Sequence, residues 1–425
     1  MKTHSIKTKL TGLLMALAVV FLLGNATVRA DVVTDWNRTA QQALLTAGSS
    51  PIASSRQMAI VQVSVFEAVN GIERRYAPFH VASDAPRGAS KRAAAIQAAY
   101  ASLLHFFPTQ AVFLNERRAA SLAEIADAPG VENSVSIARG LQWGQSVADE
   151  IFTWRSTDGF STVLPPFTGT MGAGEWRSTP PGNLAAAGIQ FPYMTPWALN
   201  TQAQFRTAGP PALSSMQYAM DVNEVKDIGS LTSSTRTADQ TEIARFWNGN
   251  TPVAWNLAAV TLSEQNDLSL SENSRLLALL NVAMADAVIS CWEAKYYYKF
   301  WRPITAIRLA DTDGNADTTA DAGWTPLLTT PNHPDYPSGH ATVSPAAGTV
   351  LQAYFGDDST FPLTSEILPG VTRNFSSITQ AVDEAFDARI YGGIHFRSAC
   401  RDGRVIGNQI GALVMATVAR PLRGN

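Results

Sequence analysis

Apolar residues recur at three- and four-residue spacing over long stretches of the chain, the repeat of a helix that buries one face. Residues 54–69 (SSRQMAIVQVSVFEAV), 91–107 (KRAAAIQAAYASLLHFF) and 140–155 (GLQWGQSVADEIFTWR) carry it through an alanine-rich first region. It returns at 237–249, at 271–301, in the run after Ser338, and at 377–389 and 402–419. No segment keeps the period-two alternation of a half-buried strand, and no repeat of solenoid length is present. The pattern predicts an all-α fold.

Residues 160–235 break the pattern with Pro165-Pro166, Pro180-Pro181, Pro192, Pro196 and Pro210-Pro211 among Gly, Ser and Thr. Trp176, Tyr193, Trp197 and Phe205 are too many aromatics for a disordered linker, so the stretch reads as an ordered, proline-braced excursion over the surface. The chain is thereby expected to comprise an N-terminal helical region with this excursion, 31–235, and a C-terminal helical region, 236–425.

Residues 1–30 read as a secretory signal peptide. Lys2, Lys7 and Lys9 precede an apolar run ending near Gly24, and Val28-Arg29-Ala30 offers a cleavage site. The run is shorter than the roughly 20 apolar residues of a spanning helix, and no later segment reads as long and apolar enough to span a bilayer. The expected destination is the periplasm or the exterior, with a mature chain starting near Asp31. In that oxidising setting the two cysteines, Cys291 and Cys400, allow one disulfide.

With 46% apolar and 16% charged residues the chain can bury a large core. A net charge of -3, and no Lys/Arg run beyond the first ten residues, argue against a nucleic-acid partner. Asp311 to Asp321 (DTDGNADTTAD) is similar to the first half of a calcium loop but lacks the glutamate at its twelfth position, and reads as a solvated turn.

Candidate chemistry concentrates in three places. Lys295 and Arg302 lie seven residues apart, so a helix running to its end would project both from one face, although Pro303 biases Arg302 out of it. They sit among Trp292, Tyr296, Phe300 and Trp301, a costly place for cations without an anion. In the stretch His333 to Pro345 (HPDYPSGHATVSP), Ser338 stands as the N-cap of a helix, and Gly339 lets an oxyanion approach free backbone N–H groups with His340 at the rim. An ordinary capped helix with a surface histidine fits that tetrapeptide equally well. Arg389 and His395 flank Gly392-Gly393, which predicts a helix ending near Arg389 and a turn folding His395 back. Three cations, a hydroxyl, a glycine N–H and two imidazoles suit phosphate or vanadate. They do not suit zinc, since neither a His-x-x-x-His pair nor a cysteine cluster is present.

Lys295 ahead of Arg302-Pro303, then Pro337-Ser338-Gly339-His340, then Arg389 ahead of His395 resembles the three-part signature shared by vanadium-dependent haloperoxidases and type 2 phosphatidic acid phosphatases. The family often has serine before the last arginine; Ala388 stands there. The resemblance, to soluble exported bacterial members, implies a helical bundle with long proline-rich loops and a vanadate cofactor. It implies that His395 ligates vanadium, that Lys295, Arg302, Arg389, Ser338 and the Gly339 N–H hold the oxygens, and that His340 is the acid–base. Hydrogen peroxide and a halide would be the substrates, with a small organic acceptor as a further partner.

A second reading is an exported acid phosphatase, in which His395 forms a phosphohistidine and His340 protonates the leaving alcohol. A third is a periplasmic oxyanion-binding protein. The long helical region before the motifs, and Trp292 three residues before Lys295, resemble soluble haloperoxidases and favour the first. The histidine at position 333 resembles bromide- and iodide-oxidising members, where chloride-oxidising ones carry an aromatic hydrocarbon ring; it is expected to reach His340 or the reacting centre. Convergence of Lys295 and His395 on one anion would also bring the cysteine-bearing segments together, so a Cys291–Cys400 disulfide is expected.

Overall fold

The computed structural model describes residues 31–126 and 132–422. The signal-peptide expectation, residues 1–30, lies outside the described residues. The first region folds as α1 (Val32–Thr46), α2 (Pro51–Glu73), α3 (Lys91–Phe106), α4 (Ala111–Ala126) and α5 (Ser134–Ser156). After the excursion come α6 (Met216–Ile228), α7 (Ala238–Phe246), α8 (Thr251–Gln265), α9 (Leu270–Tyr298), α10 (Pro303–Arg308), α11 (His340–Phe355), α12 (Ile378–Tyr391) and α13 (Arg397–Thr417). Among the described residues the fold is all-α apart from one antiparallel hairpin, β1 (Phe361–Thr364) with β2 (Thr372–Phe375), which the sequence pattern did not reveal although β1 alternates buried and exposed positions.

Local chemistry starts the helices where they start. Asp31 accepts from the amides of Val33 and Thr34, Ser50 caps α2 ahead of Pro51, and reciprocal capping boxes open α5 (Asn133 with Ser136), α7 (Thr237 with Gln240) and α9 (Ser269 with Glu272).

Helix α9 is the axis of the molecule, packed against α2, α11 and α13. By length and composition it could cross a membrane, contrary to the sequence expectation, yet 94% of its apolar window is buried inside the protein. It is a core helix. The apolar cluster around it runs from Val32 to Ala419 without interruption across residue 235, so both regions share one core. Close packing of α11 on α13 rests on Gly403 and Gly407. A Cβ at Gly407 would lie 2.1 Å from the Thr342 carbonyl, and one at Gly403 would lie 2.8 Å from Thr342 Oγ1. That approach seats the start of α11, with Ser338, Gly339 and His340, against the middle of the bundle.

The proline-rich excursion is ordered, as its aromatics predict, but it also contains α6, which the sequence pattern did not reveal. Trp176, Phe191 and Trp197 are buried, whereas Tyr193 is exposed. Its backbone is pinned to α9 at Asp286, a fully buried carboxylate that accepts the amides of Trp197 (2.7 Å), Ala198 (2.8 Å) and Leu199 (3.1 Å). The 311–321 loop is held by Asp313 and Asn315 side chains that accept the amides of Asn315 and Asp317, a local turn.

Candidate oxyanion site

Helix α9 ends at Tyr298, because Lys299 takes a left-handed conformation (φ 50°) and its amide bonds back to the Lys295 carbonyl. Lys295 and Arg302 therefore do not share one helical face, as the spacing suggested. Arg302 instead sits in extended backbone ahead of Pro303. It is brought to Lys295 by residues 299–301, which pair with the excursion: Trp176 N donates to Lys299 O, and Trp301 N to Gly174 O. Both cations are completely buried.

The two cations organise the histidine-bearing segments. Lys295 Nζ donates to the carbonyls of Pro334 (2.8 Å), Asp335 (2.9 Å) and Pro337, which uses all its protons. Arg302 Nε donates to His333 O (2.7 Å), Nη1 to Ile394 O (2.6 Å) and His395 Nε2 (3.1 Å), and Nη2 to His333 Nδ1 (2.9 Å). Of the two places expected for His333, His340 or the reacting centre, its ring goes to Arg302 beside the centre.

His395 arrives as predicted in outline. Helix α12 runs two residues beyond Arg389 to Tyr391, Gly393 turns the chain at φ 72°, and His395 comes back before α13 begins at Arg397. Its Nε2 accepts from Arg302, so Nδ1 carries the proton, 2.8 Å from Asp335 Oδ1. Nothing in the three motifs pointed to Asp335; the signal available was a lone carboxylate inside the histidine- and proline-rich stretch.

At the opposite wall Arg389 donates through Nη1 to Trp247 O (2.9 Å), while its Nε is buried with no partner. His340 faces the carbonyls of Trp247 and Gly249, and its Nε2 is likewise buried and unpartnered. The 247–250 loop carrying those carbonyls was not anticipated. It is fixed by Asn250, whose amide donates to Glu366 and whose Nδ2 donates to Ser54 Oγ (2.9 Å), and by Trp247 Nε1 on Glu384 (2.9 Å). Helix α11 starts at His340 with Gly339 already helical, and Ser338 Oγ is 3.5 Å from the Ala341 amide, so the cap is looser than the sequence implied.

These groups line a cavity of about 260 Å³. His333, Gly339, His340, Arg389 and His395 reach it, and Trp292, Ile52, Pro252, Val288 and Val343 make an apolar wall. Trp292 is held by Nε1 on Ala187 O (3.1 Å), with its ring 4.9 Å from that of His333 and against Gly339. Lys295, Arg302 and Ser338, all completely buried, are not among the residues that line it.

Charge is out of balance here. Burial pushes Lys295 down to about 8, and Arg302 and Arg389 down to about 10, the response of cations short of anions. All three histidines are held well below their usual value, by burial first and by neighbouring arginines second. Burial raises Asp335 to about 7 against the pull of Arg302 and Lys295. Among the described residues none of the three cations makes a side-chain ion pair within 4.0 Å. The unpartnered donor on Arg389, the unpartnered ring nitrogen of His340 and the missing negative charge fit a multiply charged oxyanion.

Cys291 and Cys400 are both buried free thiols, so the expected disulfide is absent. The 337–342 segment engages each separately: Cys291 Sγ bonds Pro337 O (3.6 Å), and Cys400 faces Ser338.

Residues 275–424 match the family described as the VCPO second helical-bundle domain. The fold is similar to that of a bacterial vanadium-dependent iodoperoxidase, with TM-score 0.78 and 26% identity over 93% of this chain and 98% of that one. Residues 275–424 are thus those of a vanadium haloperoxidase-type helical-bundle domain. Vanadium chloroperoxidase of Curvularia inaequalis is 28% identical over 278 residues, and the chain spans 45% of the length of that relative. A bacterial vanadium-dependent chloroperoxidase, at 18% identity and TM-score 0.66 over 86% of this chain and 93% of its own, shares the fold. Against the family's signature the departure is Ala388, fully buried beside Arg389, which supplies no hydroxyl to the site.

Proposed function

We propose that this protein is exported, binds vanadate, and oxidises bromide or iodide with hydrogen peroxide to hypohalous acid. The observation that carries the reading is the buried convergence of Arg302, Arg389 and the His395 Nε2 lone pair beside a cavity, with no carboxylate among the described residues within 4.0 Å of either guanidinium. Vanadium(V) bound there would supply a Lewis acid that activates peroxide without changing oxidation state.

The chain's own residues divide the remaining work. His395 offers Nε2 as the ligand. Arg389 offers an unused Nε–H to an oxygen. Lys295 and Arg302 contribute positive charge while fixing the backbone at 333–337 and 394. The Gly339 amide and Ser338 hydroxyl start α11 at the same point. His340, held neutral and with an Nε2 that is buried without a partner, would take a proton from incoming peroxide and return one to the leaving oxygen.

The halide preference rests on His333, a cavity-lining imidazole on Arg302, and on the overall likeness to an iodoperoxidase. The apolar wall of Trp292, Ile52, Val288 and Val343 admits a small organic acceptor. Chloride, bromide and iodide oxidation, assayed with peroxide at matched vanadate concentration, tests the assignment. Bromide and iodide turnover with little chloride turnover is expected, and efficient chloride oxidation would contradict it. Export is tested by the N-terminal sequence of secreted protein, expected near Asp31.

A further inference from the structure

We propose that Asp335 is a positioning residue that fixes the tautomer of His395 and so decides which ring nitrogen is presented to the oxyanion. Three contacts and complete burial hold the carboxylate where it must be. The Asp335 amide donates to Phe300 O (2.9 Å), its carbonyl accepts from Lys295 Nζ (2.9 Å), the side chain is completely buried, and Oδ1 is 2.8 Å from His395 Nδ1. One residue thereby links the lysine of the first motif to the histidine of the last.

A neutral imidazole has one N–H, and two neighbours compete to place it. Arg302 Nη1 can only donate, which requires a lone pair on His395 Nε2, and a carboxylate can only accept, which requires the proton on Nδ1. The two demands agree. Without Asp335 the guanidinium alone would oppose the other tautomer, and Nδ1–H would be left buried without a partner. Carboxylate support of this kind orients a ligating histidine and raises its basicity. The Asp335 carboxylate, with the Phe396 amide also directed at it, is completely buried in a place where a smaller apolar residue would spare the desolvation.

The tautomer claim stands on this geometry alone; its consequence for affinity rests on the vanadate reading above. The test compares wild type with Asp335→Asn and Asp335→Ala, each checked for a wild-type circular dichroism spectrum. Long-range proton–nitrogen spectra of histidine-labelled protein free of added oxyanion report the His395 tautomer, and titration with inorganic vanadate gives the dissociation constant. Wild type and Asp335→Asn are expected to show the proton on Nδ1, since an amide oxygen still accepts it, whereas Asp335→Ala should populate the Nε2–H form. Vanadate affinity should fall about 10- to 100-fold in Asp335→Ala and by a smaller factor in Asp335→Asn. A folded Asp335→Ala with an unchanged tautomer overturns the proposal. If that variant does not fold, Asp335→Asn decides: weaker vanadate binding supports the role, and binding equal to wild type removes it. Wild type that binds no vanadate sinks the cofactor reading, while the nitrogen spectra still test the tautomer.

Discussion

His333 is bound to Arg302 twice, through its carbonyl on Nε (2.7 Å) and its ring Nδ1 on Nη2 (2.9 Å), with its ring against Trp292. Its hydrogen-bonded link to the other motifs is therefore Arg302. Replacing it with phenylalanine keeps the ring contact with Trp292 and the backbone bond but leaves one buried guanidinium N–H unpartnered. His333→Phe is expected to change the iodide-to-bromide-to-chloride rate ratios and to weaken vanadate binding up to about tenfold, from loss of a bond on the order of 1.5 kcal/mol. Rates indistinguishable from wild type for every halide would detach His333 from the chemistry.

Arg389 offers a different test because its Nε has no partner. Arg389→Ala removes a buried charge-assisted donor and is expected to weaken both vanadate and phosphate binding by about 10- to 100-fold, the equivalent of roughly 1.5–3 kcal/mol. Isothermal titration with each anion measures it. Arg389→Lys should recover part of the loss, since it keeps the charge and lacks the planar fork.

The three motifs that build the site were legible in the sequence because cations among aromatics and a glycine beside a capping serine need an explanation locally. Asp335 was not, because an aspartate before Tyr-Pro is equally at home in any turn, and only the return of His395 across 60 residues gives it a role. The Trp247–Asn250 loop and Ile52 were hidden for the same reason: each reaches the cavity from a distant part of the chain. The helical periodicity showed the core helices but overran the end of α9, since a left-handed Lys299 leaves no mark in an apolar pattern. It also missed α6 inside the proline-rich stretch.

Spacing also suggested a disulfide that the packing does not make. Thiol titration should find two reactive groups per chain in denaturant and almost none in the native protein, because both sulfurs are buried and burial raises their pKa. Non-reducing mass spectrometry that shows one bridge would contradict the structure.

Stability depends on Asp286, which ties the excursion to the core helix through the amides of Trp197, Ala198 and Leu199. Asp286→Ala leaves these three donors without an acceptor and is expected to cost on the order of 3–9 kcal/mol, at about 1–3 kcal/mol per group. Chemical denaturation should show it. Because Ala187 and Trp292 lie where the excursion meets the cavity, vanadate affinity should fall as well.

The most direct test is a vanadate titration of purified apoprotein, following bromide oxidation by hydrogen peroxide in wild type and in His395→Ala, with phosphomonoester hydrolysis measured alongside. Wild-type activity should rise from near zero and saturate at one vanadate per chain, and His395→Ala should gain none. Phosphomonoester turnover that vanadate inhibits, with no halide oxidation at any vanadate concentration, would contradict the account and make the same pocket a phosphatase.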